Sequence, residues 1–185
     1  MSEKRPDILN KPAQRVEFPL SEEDLRSVQI LEQQFDYEEN CAGLAGPQIG
    51  IDKQIIVFAA PEDPKIKKWR PDFVQAMPKT IWINPVYEGL HSEGVHEDYE
   101  ACFSVKEMAA PVQRYKKIRY CAYDINGKKI EGMAEGFVAR IIQHEIDHVH
   151  GKLYIDLADP SKILPLEEYR AKRKTAMEKM TEEKN

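Results

Sequence analysis

The residues best suited to chemistry are the two histidines of the segment His144-Glu145-Ile146-Asp147-His148. On a helix, residues four apart lie one turn above each other on the same face, so both imidazoles can bind one metal ion. Glu145 lies alongside them on such a helix. The segment therefore predicts a site for a divalent metal ion.

A catalytic metal site of this kind needs a third protein ligand and one open position. The metzincin pattern would supply a third histidine where this chain has Tyr154. A gluzincin peptidase would use a glutamate from a downstream helix, here Glu167 or Glu168, although their charged neighbours favour a solvated surface position. A thiolate would also serve. It would come from Cys41, Cys102 or Cys121. The residues alone leave the glutamate and the cysteine solutions open.

A buried helix must position the two histidines. Apolar residues recur from Phe137 to Val149 with the spacing of a helix, and Gly151 follows as a C-terminal cap. His144 and His148 continue the inward-facing stripe of this helix. Two imidazoles that face a core need an occupant to satisfy their ring nitrogens. The pattern therefore favours a ligand-binding role over a purely structural one.

Other helices and several strands are expected around this helix. Ser21, followed by three acidic residues and a periodic apolar pattern, predicts an amphipathic helix from Ser21 to Phe35. A charge-rich pattern predicts a peripheral helix from Leu164 to Met180, with a polar tail from Glu178 to Asn185. Strands are predicted at Ile55–Phe58, Thr80–Asn84, Tyr115–Asp124 and Lys128–Ala134.

The segments between these elements predict turns and loops. Asn126-Gly127 predicts a type I′ hairpin turn between the last two strands. The small residues from Cys41 to Gly50 predict a tight loop, and the proline-rich stretch from Pro61 to Pro78 predicts a surface excursion without helix or central strand. The expected fold class is α+β, with antiparallel strands packed around the central histidine-bearing helix. We expect one domain over residues 1–185, with a peripheral C-terminal helix and tail from about residue 165.

Composition and charge exclude several classes of protein. The 27 Lys and Arg residues against 32 Asp and Glu give a net charge of −5, which disfavours binding to nucleic acid or to an acidic membrane through bulk charge. The polar N-terminus lacks the apolar stretch of a signal peptide, and no uncharged apolar run has membrane-spanning length. Three cysteines, an odd number, argue against a disulfide framework and for a reducing compartment. We therefore expect a cytoplasmic protein without a membrane partner.

Three segments, taken in order, resemble the motifs of the peptide deformylase family. They are Gly-Leu-Ala-Gly-Pro-Gln at 43–48, Glu-Ala-Cys-Phe-Ser at 100–104 and Gln-His-Glu-Ile-Asp-His at 143–148. The family patterns are G-x-G-x-A-A-P-Q, E-G-C-L-S and Q-H-E-x-D-H, and the third stands here without change. The likeness extends from about Asp7 to Asp156, which is most of the chain.

This resemblance implies a complete set of catalytic residues. One metal ion per chain would be held by Cys102, His144 and His148, with Glu145 as general base and acid. The reaction would remove the formyl group from the N-terminal methionine of new polypeptides and release formate. The side-chain amide of Gln48 and the backbone N–H of Phe103 would stabilise the oxyanion. The substrate would contact Gly43, Leu44, Glu100 and Ala101.

The resemblance also implies a metal and partners. It favours Fe(II) in vivo, while Zn(II), Ni(II) or Co(II) can substitute because one thiolate and two imidazoles suit all four ions. The partners would be N-formyl-methionyl nascent peptides, and the ribosome through the C-terminal helix.

Several positions depart from the family patterns. The four substituted positions are Cys41 for the first glycine, Gly46 for the second alanine, Ala101 for the glycine before the cysteine, and Phe103 for the leucine after it. Each change alters the lining of a narrow pocket. Lys106 also replaces a proline that often follows the second motif. These departures leave open an alternative, a deformylase-like protein that binds metal or formyl peptides with weak, altered or no turnover.

Overall fold

The structure is a computed structural model that describes residues 7–182, with side chains described to residue 178. Residues 1–6 of the polar N-terminus and 183–185 of the expected polar tail lie outside the described residues. The α-helices are α1 (Glu22–Tyr37), α2 (Pro64–Trp69), α3 (Gly136–Val149) and α4 (Leu166–Glu182). The strands are β1 (Gly43–Ala45), β2 (Ile55–Ala60), β3 (Met77–Gly89), β4 (Val95–Cys102), β5 (Val105–Tyr115), β6 (Lys117–Tyr123), β7 (Lys129–Glu135) and β8 (Leu164–Pro165).

The strands form two antiparallel sheets, and α3 lies between them. The larger sheet has the order β1-β2-β3-β6-β7 and the smaller has the order β4-β5-β8. One side of α3 packs on the larger sheet, and the other side forms hydrogen bonds with the smaller sheet. There, Gln143 accepts from the backbone N–H of Tyr115 and donates to its carbonyl, each at 3.0 Å. The predicted α+β class, with antiparallel strands around the histidine-bearing helix, is confirmed.

Strand β2 explains why both faces of the larger sheet are covered. Successive side chains of a strand point to opposite faces, and every residue of β2 but one is buried. Ile56 and Phe58 pack in the core with α3. Ile55 and Val57 pack on the other face in a core that includes α1. The larger sheet is therefore a central layer between two helices.

The helix boundaries follow local signals in the sequence. Ser21 is the N-cap of α1, where its hydroxyl accepts from the N–H of Asp24 at 3.1 Å and Asp24 accepts from the N–H of Ser21 at 3.0 Å. The C-terminal end of α3 is closed by a distant segment, because the N–H of Ala13 donates to the carbonyl of Val149 at 2.8 Å. None of the described helices is long and apolar enough to cross a membrane.

Two predictions of local structure were wrong in the first half of the chain. The stretch from Pro61 to Pro78 contains the short helix α2, because Asp63 caps its first turn through the N–H of Lys65 at 2.7 Å and Pro64 fits the first helical position. The expected tight loop from Cys41 to Gly50 contains the short strand β1 and a 3₁₀ turn.

The hairpin between β6 and β7 is confirmed, but the type I′ turn was wrong. A type I′ turn needs positive φ at both central residues. Here Gly127 has φ +77°, while Asn126 is not among the residues with positive φ. The carboxylate of Asp124 accepts from the N–H of Asn126 at 2.8 Å and of Lys128 at 2.9 Å. These bonds hold a three-residue loop with a left-handed glycine.

Candidate active site

Three predicted metal ligands come together where β4 ends against α3. Nε2 of His148 lies 3.3 Å from Sγ of Cys102 and 3.2 Å from Nε2 of His144. The three donor atoms all lie within 4.8 Å of one another. Ordinary metal–sulfur and metal–nitrogen bonds in a tetrahedral site would separate such atoms by about 3.3 to 3.6 Å. The spacing therefore fits a single ion.

The described side chains, those of residues 7–178, support this ligand set over the alternatives. No second group of three or more His, Cys, Asp or Glu donors lies this close together among them. Glu167 and Glu168 lie on α4, outside the cluster, and Glu168 pairs instead with Lys172 at 2.7 Å. Cys41 and Cys121 are free thiols outside the cluster. Neither Glu167 or Glu168 nor another cysteine therefore contributes a donor to this cluster.

A buried ion network lies behind the cluster. Glu100 shares a face of β4 with Cys102, and its Oε2 lies 2.9 Å from Nδ1 of His144. Arg114 donates to both carboxylate oxygens at 2.9 Å, and Arg140 donates to Oε1 at 2.7 Å. Burial alone would raise the pKa of Glu100, but Arg114 and His144 outweigh it and the pKa falls well below its usual range. The carboxylate is therefore ionised and supports the histidine.

Glu145 follows His144 on α3 and lines the same space as Cys102 and His144. Its side chain is buried, and its Oε2 has no hydrogen-bond partner among the described residues. A Cβ at Gly43 would lie 2.4 Å from Oε1, so only glycine leaves room for this carboxyl group. Burial is the main cause that raises the pKa of Glu145 to about 7. A carboxyl group with this pKa can both accept and donate a proton near neutral pH.

Gln48 and Phe103 border the same space. Oε1 of Gln48 accepts from the N–H of Ala45 at 2.8 Å, which fixes the orientation of the amide. Its Nε2 lies 3.2 Å from Sγ of Cys102 and 3.3 Å from Oγ of Ser104. Phe103 follows Cys102 in the turn between β4 and β5 and is about half exposed. An amide N–H₂ group is therefore held beside the cluster.

The cluster opens onto a cleft of about 680 Å³. Of the expected substrate contacts, Gly43 and Ala101 line this cleft, and Glu100 lines it while its carboxylate is engaged behind the cluster. The side chain of Leu44 is buried in the core on the α1 side of the sheet instead. Sequence reasoning missed the contribution of the C-terminal helix, which lines the cleft with Leu166, Tyr169 and Arg170.

Fold and site together are those of a metal-dependent hydrolase, because a cysteine sulfur and two imidazoles that could hold an ion lie in one cleft with a buried glutamate. The chain belongs to the polypeptide deformylase family, whose model matches residues 2–163. This confirms the resemblance found in the three sequence motifs. As a member of this family, the protein is an enzyme of protein biosynthesis that removes the N-formyl group from nascent peptides.

Two curated relatives illustrate this similarity. The chain is 60% identical over 166 residues to peptide deformylase 2 of Rickettsia conorii, which covers 90% of this chain and 82% of that protein. It is 40% identical over 146 residues to peptide deformylase 2 of Ralstonia nicotianae, which covers 78% of this chain and 76% of that one.

Solved structures share the fold at lower sequence identity. Peptide deformylase from Ehrlichia chaffeensis matches with a TM-score of 0.70 and 26% identity, over 97% of this chain and 93% of that chain. The Met-Ala-Ser-bound class I type b peptide deformylase from Acinetobacter baumannii matches with a TM-score of 0.71 and 28% identity, over 85% of this chain and 94% of that chain.

Proposed function

We propose that Cys102, His144 and His148 hold one divalent ion and that Glu145 moves the proton during hydrolysis of the N-formyl group of methionine. The observation that carries this proposal is the meeting of three donor atoms within 4.8 Å beside the unpartnered Oε2 of Glu145. Two imidazole nitrogens 3.2 Å apart and a thiol sulfur share one small space. A single divalent cation satisfies all three donors at once.

Each side chain then has a defined task. A divalent ion held by Cys102, His144 and His148 would polarise the formyl carbonyl and lower the pKa of a water molecule. Glu145 accepts a proton as the water oxygen bonds to the formyl carbon, and it returns that proton to the amine nitrogen as the C–N bond breaks. Gln48 through its amide and Phe103 through its backbone N–H donate to the oxyanion that develops on the formyl group. Formate and a free N-terminal methionine are the products.

The four departures from the family motifs are compatible with turnover. None of the four residues belongs to the donor cluster. Ala101 and Phe103 are both exposed residues of the cleft lining. These features support catalysis over the alternative of a metal-binding or peptide-binding protein without turnover.

We propose Fe(II) as the metal in vivo, with Zn(II), Ni(II) and Co(II) as substitutes, since a mixed thiolate and imidazole site accepts each of them. We further propose that the whole chain works as one domain in the cytoplasm, where its three free thiols would stay reduced. The C-terminal helix α4 carries many exposed charged side chains on its outer surface, which supports a proposed contact with the ribosome.

Formate release provides the test. Protein purified without oxygen is loaded in turn with Fe(II), Ni(II) and Zn(II) and supplied with a formyl-methionyl tripeptide. We expect turnover with each metal. Glu145→Gln should retain the metal and lose turnover, while Glu131→Gln at an exposed position on β7 should behave as wild type. Stoichiometric metal without turnover in the wild-type protein would contradict the proposal.

A further inference from the structure

The cleft beside the cluster ends against the C-terminal helix. Leu166, Tyr169 and Arg170 of α4 line it together with residues of the cluster. Residues three or four apart share one face of a helix, so these three positions form one surface. A peptide whose formyl group lies at the cluster would extend along the cleft that these residues help to line.

This face of α4 is fixed in place. The ring of Tyr169 stacks on Tyr99 of β4, with centroids 5.0 Å apart and an interplanar angle of 19°. One turn further along, Arg173 donates to Oδ1 of Asp98 at 2.8 Å. Before the helix, strand β8 pairs with β5. This face of α4 is therefore held in place on both sides of Arg170.

Arg170 brings a cation to the cleft that no described acidic side chain neutralises. Its side chain is exposed, and it forms no ion pair within residues 7–178, whereas Arg173 pairs with Asp98. The cleft also contains exposed charged side chains of both signs without ion pairs in that range: Glu39, Lys106 and Glu107. Because the signs are mixed, the cleft as a whole favours neither charge, and any selection must be local to one substrate position.

We propose that Leu166, Tyr169 and Arg170 form a subsite for the substrate residues after the formyl-methionine, and that Arg170 favours a carboxylate there. This inference rests on the proposed function, because it places the formyl group at the cluster. A guanidinium group binds a carboxylate through two parallel hydrogen bonds. Leu166 and Tyr169 add apolar contact beside that charge. An acidic side chain and the terminal carboxylate of a short peptide share this chemistry.

Amidated peptides test the proposal. Formyl-Met-Ala-Ala-Ala amide is compared with versions that carry Glu or Lys at the second, third or fourth position, and kcat and KM are measured for each. We expect a preference for Glu over Lys at one position of roughly threefold to tenfold, expressed in KM, because an exposed ion pair is weak. Salt at about 1 M should remove most of that preference.

Charge reversal provides the decisive variant. Arg170→Glu should reverse the preference at that position, and it should not unfold the protein because the side chain is exposed. Lys174→Glu is the matched control, since Lys174 is exposed on the same helix and does not line the cleft. It should keep the wild-type ranking of peptides. An identical ranking in wild type and Arg170→Glu would overturn the proposal.

Two further comparisons separate the possible sources of the carboxylate and the two proposals. If amidated peptides with Glu are preferred, Arg170 recognises an acidic side chain of the substrate. If the only preference is for formyl-Met-Ala-Ala over its amide, Arg170 recognises the terminal carboxylate. Either preference must disappear in Arg170→Glu. Calorimetric binding of Met-Ala-Glu-Ala and Met-Ala-Lys-Ala amides does not need turnover. If the wild-type protein hydrolyses none of the peptides, the proposed function fails. The role of Arg170 is overturned if binding is equal for the Glu and Lys amides at the second, third and fourth positions and also equal for Met-Ala-Ala and its amide.

Discussion

The carboxylate of Glu100 on β4 lies 2.9 Å from Nδ1 of His144 on α3 and joins a strand to the helix of the proposed metal site. An ionised carboxylate only accepts hydrogen bonds, so Nδ1 carries a proton and Nε2 is the ring nitrogen that can bind a metal ion. That Nε2 faces His148 at 3.2 Å. The orientation of this proposed ligand therefore depends on a buried carboxylate, which two arginines hold in turn.

Glu100→Gln should lower metal affinity by roughly 10- to 100-fold, because the amide is a weaker acceptor for His144 and leaves two buried arginines short of a negative charge. Competition with a chromogenic chelator measures the affinity. Glu97→Gln is the control on the same strand, since its carboxylate pairs at the surface with Lys162 at 3.4 Å. Equal affinity of Glu100→Gln and wild type would show that the network does not orient the ligand.

Cys102→Ser should lose most of its bound metal after dialysis, because a neutral hydroxyl replaces an anionic sulfur ligand. Cys121→Ser should retain one ion per chain, since Cys121 lies on β6 outside the cluster. Metal content per chain, measured by atomic emission, distinguishes the two variants. Full retention of metal by Cys102→Ser would remove this residue from the site.

Gly43→Ala should lower kcat by about 100-fold while the metal content stays unchanged. The added methyl group would lie 2.4 Å from Oε1 of Glu145, so the carboxyl group must move away from its position beside the cluster. Steady-state kinetics and metal analysis on the same preparation test this expectation. A kcat close to that of wild type would mean that the position of Glu145 tolerates displacement.

Asp98→Asn should lower the thermal unfolding temperature at pH 7, and its difference from wild type should shrink below about pH 4. Burial raises the pKa of Asp98, but Arg70 and Arg173 outweigh that effect, and the pKa lies below the ordinary value of 3.8. A carboxyl group whose pKa is lower in the folded state stabilises the fold at pH values above its unfolded-state pKa. This contribution is lost as the pH falls through the folded-state pKa. Scanning calorimetry between pH 3 and pH 7 provides the measurement. A difference that stays constant across this range would contradict the assignment.

The elements that could be predicted from sequence are those with local signals. Apolar residues recur at helical spacing from Phe137 to Val149, which predicted α3. Ser21 precedes the acidic first turn of α1, which predicted that helix. The three motifs then indicated the residues that meet at the cluster. These signals involve neighbours in sequence, which is why they survive without knowledge of the tertiary contacts.

The hairpin of β4 and β5 was missed for a physical reason. Five of the first six residues of β4, from Val95 to Glu100, are exposed or only partly buried, so the strand lacks alternating apolar residues. Pro111 lies within β5, and a proline argues against a strand prediction because it has no N–H to donate to a neighbouring strand. The role of Glu100 was equally hidden, because Arg114 and Arg140 reach it from two other elements. The charge-rich α4 gave no sign that it lines the cleft, since its contact depends on only a few side chains.

The hydrogen bond from Ala13 to the carbonyl of Val149 has a consequence for the order in which the molecule is completed. During synthesis the donor leaves the ribosome early, and the acceptor appears only after all strands of the larger sheet have been made. The last turn of α3, with His148, is therefore closed only when most of the chain exists. A shortened protein that began after Ala13 would keep every residue of the cluster and still lack the segment that closes this turn.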